Sequence, residues 1–298
     1  MNVITRRSRR ISIAVLVLIA LILPVFAPSC GQPASQLSGL CFSPYLNSNP
    51  KQAGPVVDLL GEIAPHTEGI RTFGSTGVWA EVPPAAERLG LYMAAGAGLY
   101  DNKKYNASQV AGLVKLAKTG AVDLAVVGDE NLMSNTVGED ELISYIKQVK
   151  ATGVPTTTSD GWAELLAHPR VVSAVDIVII NVFPFVQGVS LDRAIEYLDS
   201  AYRKVKAKAG TKEVMVETGW PSAGESRWKA VPGPKNAARY LSDFTAWARS
   251  NGVRYFYFEA FDEPWKSKTE GSVGGHWGLW DNDGQMKQYA RSVLGEAQ

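Results

Sequence analysis

Eight short apolar runs recur along the chain, each followed by a stretch with helical spacing, and no other pattern constrains the fold as tightly. The runs cover residues 40–45, 69–73, 91–97, 122–127, 154–158, 176–181, 214–217 and 253–259. Between them, apolar residues fall at i, i+3, i+4 and i+7, as in Val110, Leu113, Val114 and Ala117 or Leu142, Ile143, Ile146 and Val149, the stripe of a helix lying on a core. Ser108 is placed to cap the first of these helices, and Thr136 with Glu139 has capping-box spacing before the second. Continuous apolar strands alternating with helices describe a parallel sheet buried on both faces. Eight such units in about 260 residues describe a closed (β/α)8 barrel, a TIM barrel, in one domain. An open doubly wound sheet is the competing α/β architecture, but no GxGxxG follows the first strand and no P-loop is present.

The N-terminus stands apart from this pattern. Arg6, Arg7, Arg9 and Arg10 precede a nearly unbroken apolar run over residues 11–27, and Pro28-Ser29-Cys30 follows. Basic, apolar and small-residue regions in that order make residues 1–29 a signal peptide or N-terminal anchor. Three fates are open: cleavage before Cys30, acylation of Cys30, or an uncleaved anchor near the lower length limit of a spanning helix. Each implies export, to the periplasm or the medium, with a membrane tether in two of the three. Residues 30–38 read as a linker and 39–298 as the barrel. Without residues 1–29 the basic residues fall from 30 to 26 against 29 acidic ones, a net charge of −3. No basic field remains for nucleic acid or a polyanion, which leaves a neutral substrate. Nothing in the sequence points beyond a monomer.

In a barrel of this kind, chemistry sits at the C-terminal ends of the strands. Those ends carry Tyr45; Arg71; Asp129 and Glu130; Asp160 with Trp162; Asn181 with Phe183 and Phe185; Glu217 with Trp220; and Glu259 with Asp262, Glu263 and Trp265. Two of them repeat one layout: Leu124-Ala125-Val126-Val127 delivers Glu130, and Val214-Met215-Val216 delivers Glu217. A carboxylate at the end of a buried strand is costly unless it is paired or working. Two carboxylates aimed into one cleft are the machinery of glycoside cleavage, and flat aromatic rings suit the apolar faces of pyranose sugars. Other chemistries lack their markers. His66, His168 and His276 have no ligand spacing, Cys30 and Cys41 make no disulfide framework, and no GxSxG or HExxH occurs, so no metal or cofactor is expected. Cys41, inside an apolar strand, reads as a small buried hydrophobe. Asp281-Asn282-Asp283-Gly284 reads as a turn.

At Ile70-Arg71-Thr72-Phe73-Gly74, Val127-Gly128-Asp129-Glu130, Asn181-Val182-Phe183-Pro184-Phe185, Glu217-Thr218-Gly219-Trp220-Pro221-Ser222, residues 256–266 and His276-Trp277-Gly278-Leu279-Trp280, the chain resembles glycoside hydrolase family 17, the β-1,3-glucanases and β-1,3-glucanosyltransferases. The resemblance runs from about Gly39 to Tyr289. It implies a retaining glycosidase with Glu130 as general acid/base and Glu217 as nucleophile, their carboxyls about 5–5.5 Å apart. Glu263 and Lys266 are expected to pair beside the nucleophile, and Trp228 and Trp265 to line acceptor subsites. Two positions depart from the family's pattern. Asp129 stands where Asn is usual, so either it is protonated or its contact with the sugar inverts, and its charge would raise the pKa of Glu130. Gly274 stands where an acid is expected shortly before the Trp-Gly-Leu run. Hydrolysis of β-1,3-glucan is the leading expectation. Glucanosyl transfer at the same site is the alternative, and a tethered, non-catalytic carbohydrate-binding barrel is the reading from another class.

Overall fold

Each apolar run becomes a strand because its branched and small side chains pack on both faces of a sheet, one face toward the barrel axis and one toward the helices. The computed structural model describes residues 36–45 and 55–295; the segment read as signal or anchor, and Cys30 with it, lies outside them. The strands are β1 (Leu40–Cys41), β2 (Gly69–Arg71), β3 (Tyr92–Ala97), β4 (Leu124–Asp129), β5 (Thr156–Gly161), β6 (Val178–Asn181), β7 (Val214–Thr218) and β8 (Tyr255–Tyr257). All are parallel, each pairs with the next, and Leu40 against Tyr257 closes the barrel. The expected (β/α)8 architecture is therefore the observed one.

The main helices outside the barrel are Val56–Ile63, Val82–Arg88, Lys103–Ala117, Glu139–Lys150, Leu191–Ala209, Pro234–Asn251 and Gln288–Leu294. The fifth unit carries two short helices, Trp162–Ala167 and Pro169–Ala174, split where Pro169 cannot continue the first. Two capping expectations fail. The helix from Lys103 is capped by Asn102, which accepts from the Tyr105 amide at 3.0 Å, a contact worth about 1 kcal/mol; Ser108 lies inside that helix. The helix from Glu139 has Gly138 at its N-cap, and the Thr136 hydroxyl accepts from Asn131 instead.

Side chains alternate along each strand, which sorts the core into two parts. Toward the helices lies one large apolar layer. Toward the axis, Cys41, Ala94, Leu124, Val126, Ile179, Met215 and Phe256 form a compact plug, the filled interior expected of an eight-stranded barrel. Cys41 is a buried hydrophobe as expected, and burial pushes its thiol well above the usual range. On three strands the next inward residue is polar: Ile179 gives way to Asn181, Met215 to Glu217, and Gly69 to Arg71. Gly96 holds the corresponding place on β3, where a Cβ would meet the Thr72 carbonyl at 2.1 Å; only glycine fits there.

Candidate active site

On β4 the alternation is broken on purpose. Val126 pairs with Thr157 but Asp129 pairs with Ser159, so β4 carries one extra residue there. It is taken up at Gly128, whose φ of +79° needs glycine. This β-bulge re-aims the strand end, as bulges beside active sites do. Asp129 turns inward over the plug, and Glu130 follows at the rim with φ +52°, a left-handed conformation rare for a residue with a side chain.

The polar layer is a chain of charges. The Arg71 guanidinium, buried and stacked 4.6 Å from the Phe73 ring centroid, reaches two carboxylates: Nη1 pairs with Glu217 Oε2, and Nη2 donates to Asp129 Oδ1 at 2.7 Å. Asn181 Nδ2 donates to Glu130 Oε1 at 3.0 Å and to Asp129 Oδ1 at 3.3 Å. Its Oδ1 accepts from Ser159 Oγ at 2.5 Å, which fixes which way the amide faces. Asp129 Oδ1 thus accepts two donors, one of them cationic. Burial pushes the Glu130 carboxyl up to about 7, the Asp129 charge adds to this, and the Asn181 hydrogen bond opposes it.

Removing the Asp129 charge therefore lowers the Glu130 pKa. Because the general acid must be protonated, the alkaline limb of the kcat/KM profile is expected to move to lower pH in Asp129→Asn, with the nucleophile untouched. An unmoved limb would show that Asp129 does not act on Glu130.

Glu130, Asp129, Asn181 and Glu217 share a cleft of about 460 Å3. Phe183, Phe258 and Trp277 form one of its walls. Their rings meet edge to face, with centroids 5.6–5.7 Å apart. Phe185 joins the same wall through Trp277. Trp162 also lines the cleft, its Nε1 donating to Tyr197 Oη at 3.1 Å. Phe258, Trp277 and Tyr197 had not been singled out as site residues. The first two are legible as aromatics beside specific motifs, whereas Tyr197 comes from a helix that the strand-end rule does not reach.

Four expected contacts fall elsewhere. Trp220 is fully buried between Phe185 and Tyr240, with its Nε1 donating to the Val231 carbonyl; it packs barrel against helix and cannot meet a sugar. Asp160 is fully buried too, and its oxygens accept backbone amides from Leu132, Met133 and Gly161. Burial pushes its carboxyl up to about 6 against those three amides. Glu259 and Glu263 lie behind the wall, buried, each 2.5 Å from Lys266 Nζ, whose ammonium sits 4.4 Å from the Phe258 ring centroid. The expected Glu263–Lys266 pair forms, Glu259 joins it, and the counter-ion of Glu217 is Arg71. Burial pushes the Glu259 carboxyl up against the pull of Lys266.

The remaining expected aromatics, Tyr45, Trp265 and Trp228, do not line this cleft. Tyr45 packs edge-on against Trp79 at 5.3 Å, and Trp265 donates to Glu263 at 3.3 Å. Trp228 is 78% exposed at the tip of a tight turn closed by Arg227 and Ala230; Arg227 lines the cleft and Trp228 does not. At Gly274 a Cβ would meet the Lys266 carbonyl at 2.7 Å and Glu270 Cβ at 2.9 Å. Glu270, which lines the cleft, brings a carboxylate to the region where the acid at 274 is missing.

Residues 39–278 match the model of the BtgE/BtgC glycoside hydrolase domain. A glucan 1,3-beta-glucosidase of Arthroderma benhamiae is 30% identical over 246 residues, covering 74% of this chain and 79% of that protein. One from Saccharomyces cerevisiae is 28% identical over 230 residues, 68% of this chain and 74% of that protein. Among solved structures, an active-site mutant of the Rhizomucor miehei beta-1,3-glucanosyltransferase in complex with laminaritriose is similar with a TM-score of 0.77 and 26% identity, over 86% of this chain and 97% of that one. An endo-laminarinase from Formosa has a TM-score of 0.75 at 19% identity, over 87% and 86%, a likeness of fold.

Proposed function

The chain belongs to the BtgE/BtgC glycoside hydrolase domain family, within glycoside hydrolase family 17, and from that premise we propose that it cleaves β-1,3-glucan with retention, through a covalent glycosyl-enzyme. The observation that carries this reading is the contrast between two carboxyls in one cleft. Glu217 is buried against the Arg71 cation, which favours the carboxylate that a nucleophile needs. Glu130 is raised to about 7 by burial and by Asp129, which favours the protonated form that a general acid needs near neutral pH.

A glucan chain laid along the aromatic wall presents its scissile bond to both. Glu217 attacks the anomeric carbon while Glu130 gives its proton to the departing oxygen. Glu130, now ionised, takes a proton from the incoming hydroxyl, and the glycosyl–Glu217 bond breaks. Water as acceptor gives hydrolysis; a sugar hydroxyl gives glucanosyl transfer. Hydrolysis is the leading reading. Transfer is favoured by one feature, the hydrogen-bonded, edge-to-face Trp162–Tyr197 pair that lines the same cleft as Glu130 and offers aromatic surface to an acceptor ring. The basic and apolar N-terminal run supports export to the periplasm or medium, with tethering through that run or Cys30, and the barrel is proposed to act as a monomer.

Product analysis on a reduced laminari-oligosaccharide separates the readings. Shorter products alone are the expected result and identify a hydrolase. Products longer than the substrate identify a transferase. Binding without turnover would replace both with a carbohydrate-binding barrel.

A further inference from the structure

Asp160 was expected to face the substrate, and the structure gives it a different office. The loop that leaves β4 must hold Glu130 in a left-handed backbone conformation, which persists only when its surroundings over-determine it. The Glu130 amide donates to the Ser159 carbonyl at 2.9 Å, and its carbonyl accepts the Ser134 amide at 2.9 Å and the Ser134 hydroxyl at 2.6 Å. Asn131 ties the same loop to the Leu99 carbonyl and the Thr136 hydroxyl. Between these anchors the amides of Leu132 and Met133 point down into the barrel end. Asp160 Oδ2 accepts the first at 2.7 Å and Oδ1 the second at 3.2 Å, while Oδ1 also takes the Gly161 amide at 2.8 Å. A fully buried carboxyl group therefore clasps the loop after β4 to the end of β5.

Resting on the reading of Glu130 as acid/base, we infer that Asp160 is a positioning residue for it, clasping the Leu132–Met133 backbone so that the Glu130 carboxyl reaches the departing oxygen. The clasp needs two acceptor oxygens and no donor. Asparagine at 160 offers one oxygen and sets an amide N–H2 against backbone N–H groups, so at least one bond is lost and a donor faces a donor. Glu217 and Arg71 stand on other strands and keep their pairing.

The test compares two substrates that differ only in how much their leaving group needs a proton. With 2,4-dinitrophenyl β-laminaribioside the phenolate departs without help, so kcat/KM reports attack by Glu217. With phenyl β-laminaribioside, protonation by Glu130 contributes to the same step. Asp160→Asn is expected to lose roughly 10–100-fold in kcat/KM on the phenyl substrate, part of what general acid catalysis supplies, and to stay within about twofold of wild type on the dinitrophenyl one. Retained turnover of the activated substrate also shows that the variant is folded. Asp160→Ser, which keeps one acceptor, is measured alongside and carries the comparison should the Asn variant not accumulate. Equal losses on both substrates, or none on either, would overturn the assignment. A wild-type enzyme inert on both would instead overturn the glycosidase reading on which it rests.

Discussion

Glu217→Ala is expected to lower kcat on laminarin by a factor on the order of 10⁵, the scale on which removal of a covalent nucleophile is felt. The loss should be mainly chemical, because Arg71 keeps Asp129 as a partner. Glu217 sits above Met215 in the barrel axis, and alanine leaves a polar gap that water can fill beside Arg71. Added azide provides the diagnostic. In Glu217→Ala, a small anion entering the vacated space attacks the anomeric carbon directly and yields the α-glycosyl azide. In Glu130→Ala the glycosyl-enzyme still forms on an activated substrate, and azide then releases the β-glycosyl azide. The two anomers assign the two carboxyls independently. The same anomer from both variants would contradict the assignment.

The second large effect is one of stability. Arg71 is 1% exposed and bridges Glu217 and Asp129, and removing one member of a buried ion group leaves the others without compensation. Arg71→Met, which keeps most of the volume but removes the cation, is expected to cost about 3–5 kcal/mol. For a domain of this size that is a fall in Tm of about 10 °C. Because the cost comes from stranded charge, Asp129→Asn added to Arg71→Met should cost less than the sum of the single changes. Calorimetric unfolding of the three variants checks this, and strict additivity would refute it. The bridge also explains why Asp129 is tolerated beside the acid/base: Arg71 neutralises it in the inward layer while its remaining field reaches Glu130.

Much of this was legible in the sequence, for a physical reason. Burial on both faces forces strands to be apolar, so the strands and their ends could be located, and with them Glu130, Glu217, Arg71 and Asn181. Orientation at those ends was not legible. Asp129 and Glu130 are adjacent acids after one apolar run, and only the extra residue at Gly128 decides which faces the axis. Trp220 follows the nucleophile in a specific motif, yet the chain turns outward at Gly219, where a Cβ would meet the Phe258 carbonyl at 2.1 Å, and the indole enters the helix layer. Asp160 ends a strand as Glu217 does, but its partners are backbone amides 28, 27 and 1 residues away, which no side-chain pattern announces. The cap at Asn102 was hidden because the helix begins with the polar Lys103-Lys104, and its apolar stripe starts later.

The bulge on β4 has a consequence for how this chain can change. Flattening the bulge without shortening the strand, as a β-branched residue at 128 that resists a φ of +79° would favour, would restore strict alternation from Val126, and Glu130 would then face inward while Asp129 turned out. The residue that gives and takes protons would turn toward the inward layer of Arg71, and Asp129 would be left outside it. Two side chains that differ by one methylene group are kept in separate occupations by the backbone conformation of a single glycine, so a substitution there trades catalysis for an ion pair without altering any residue that takes part in either.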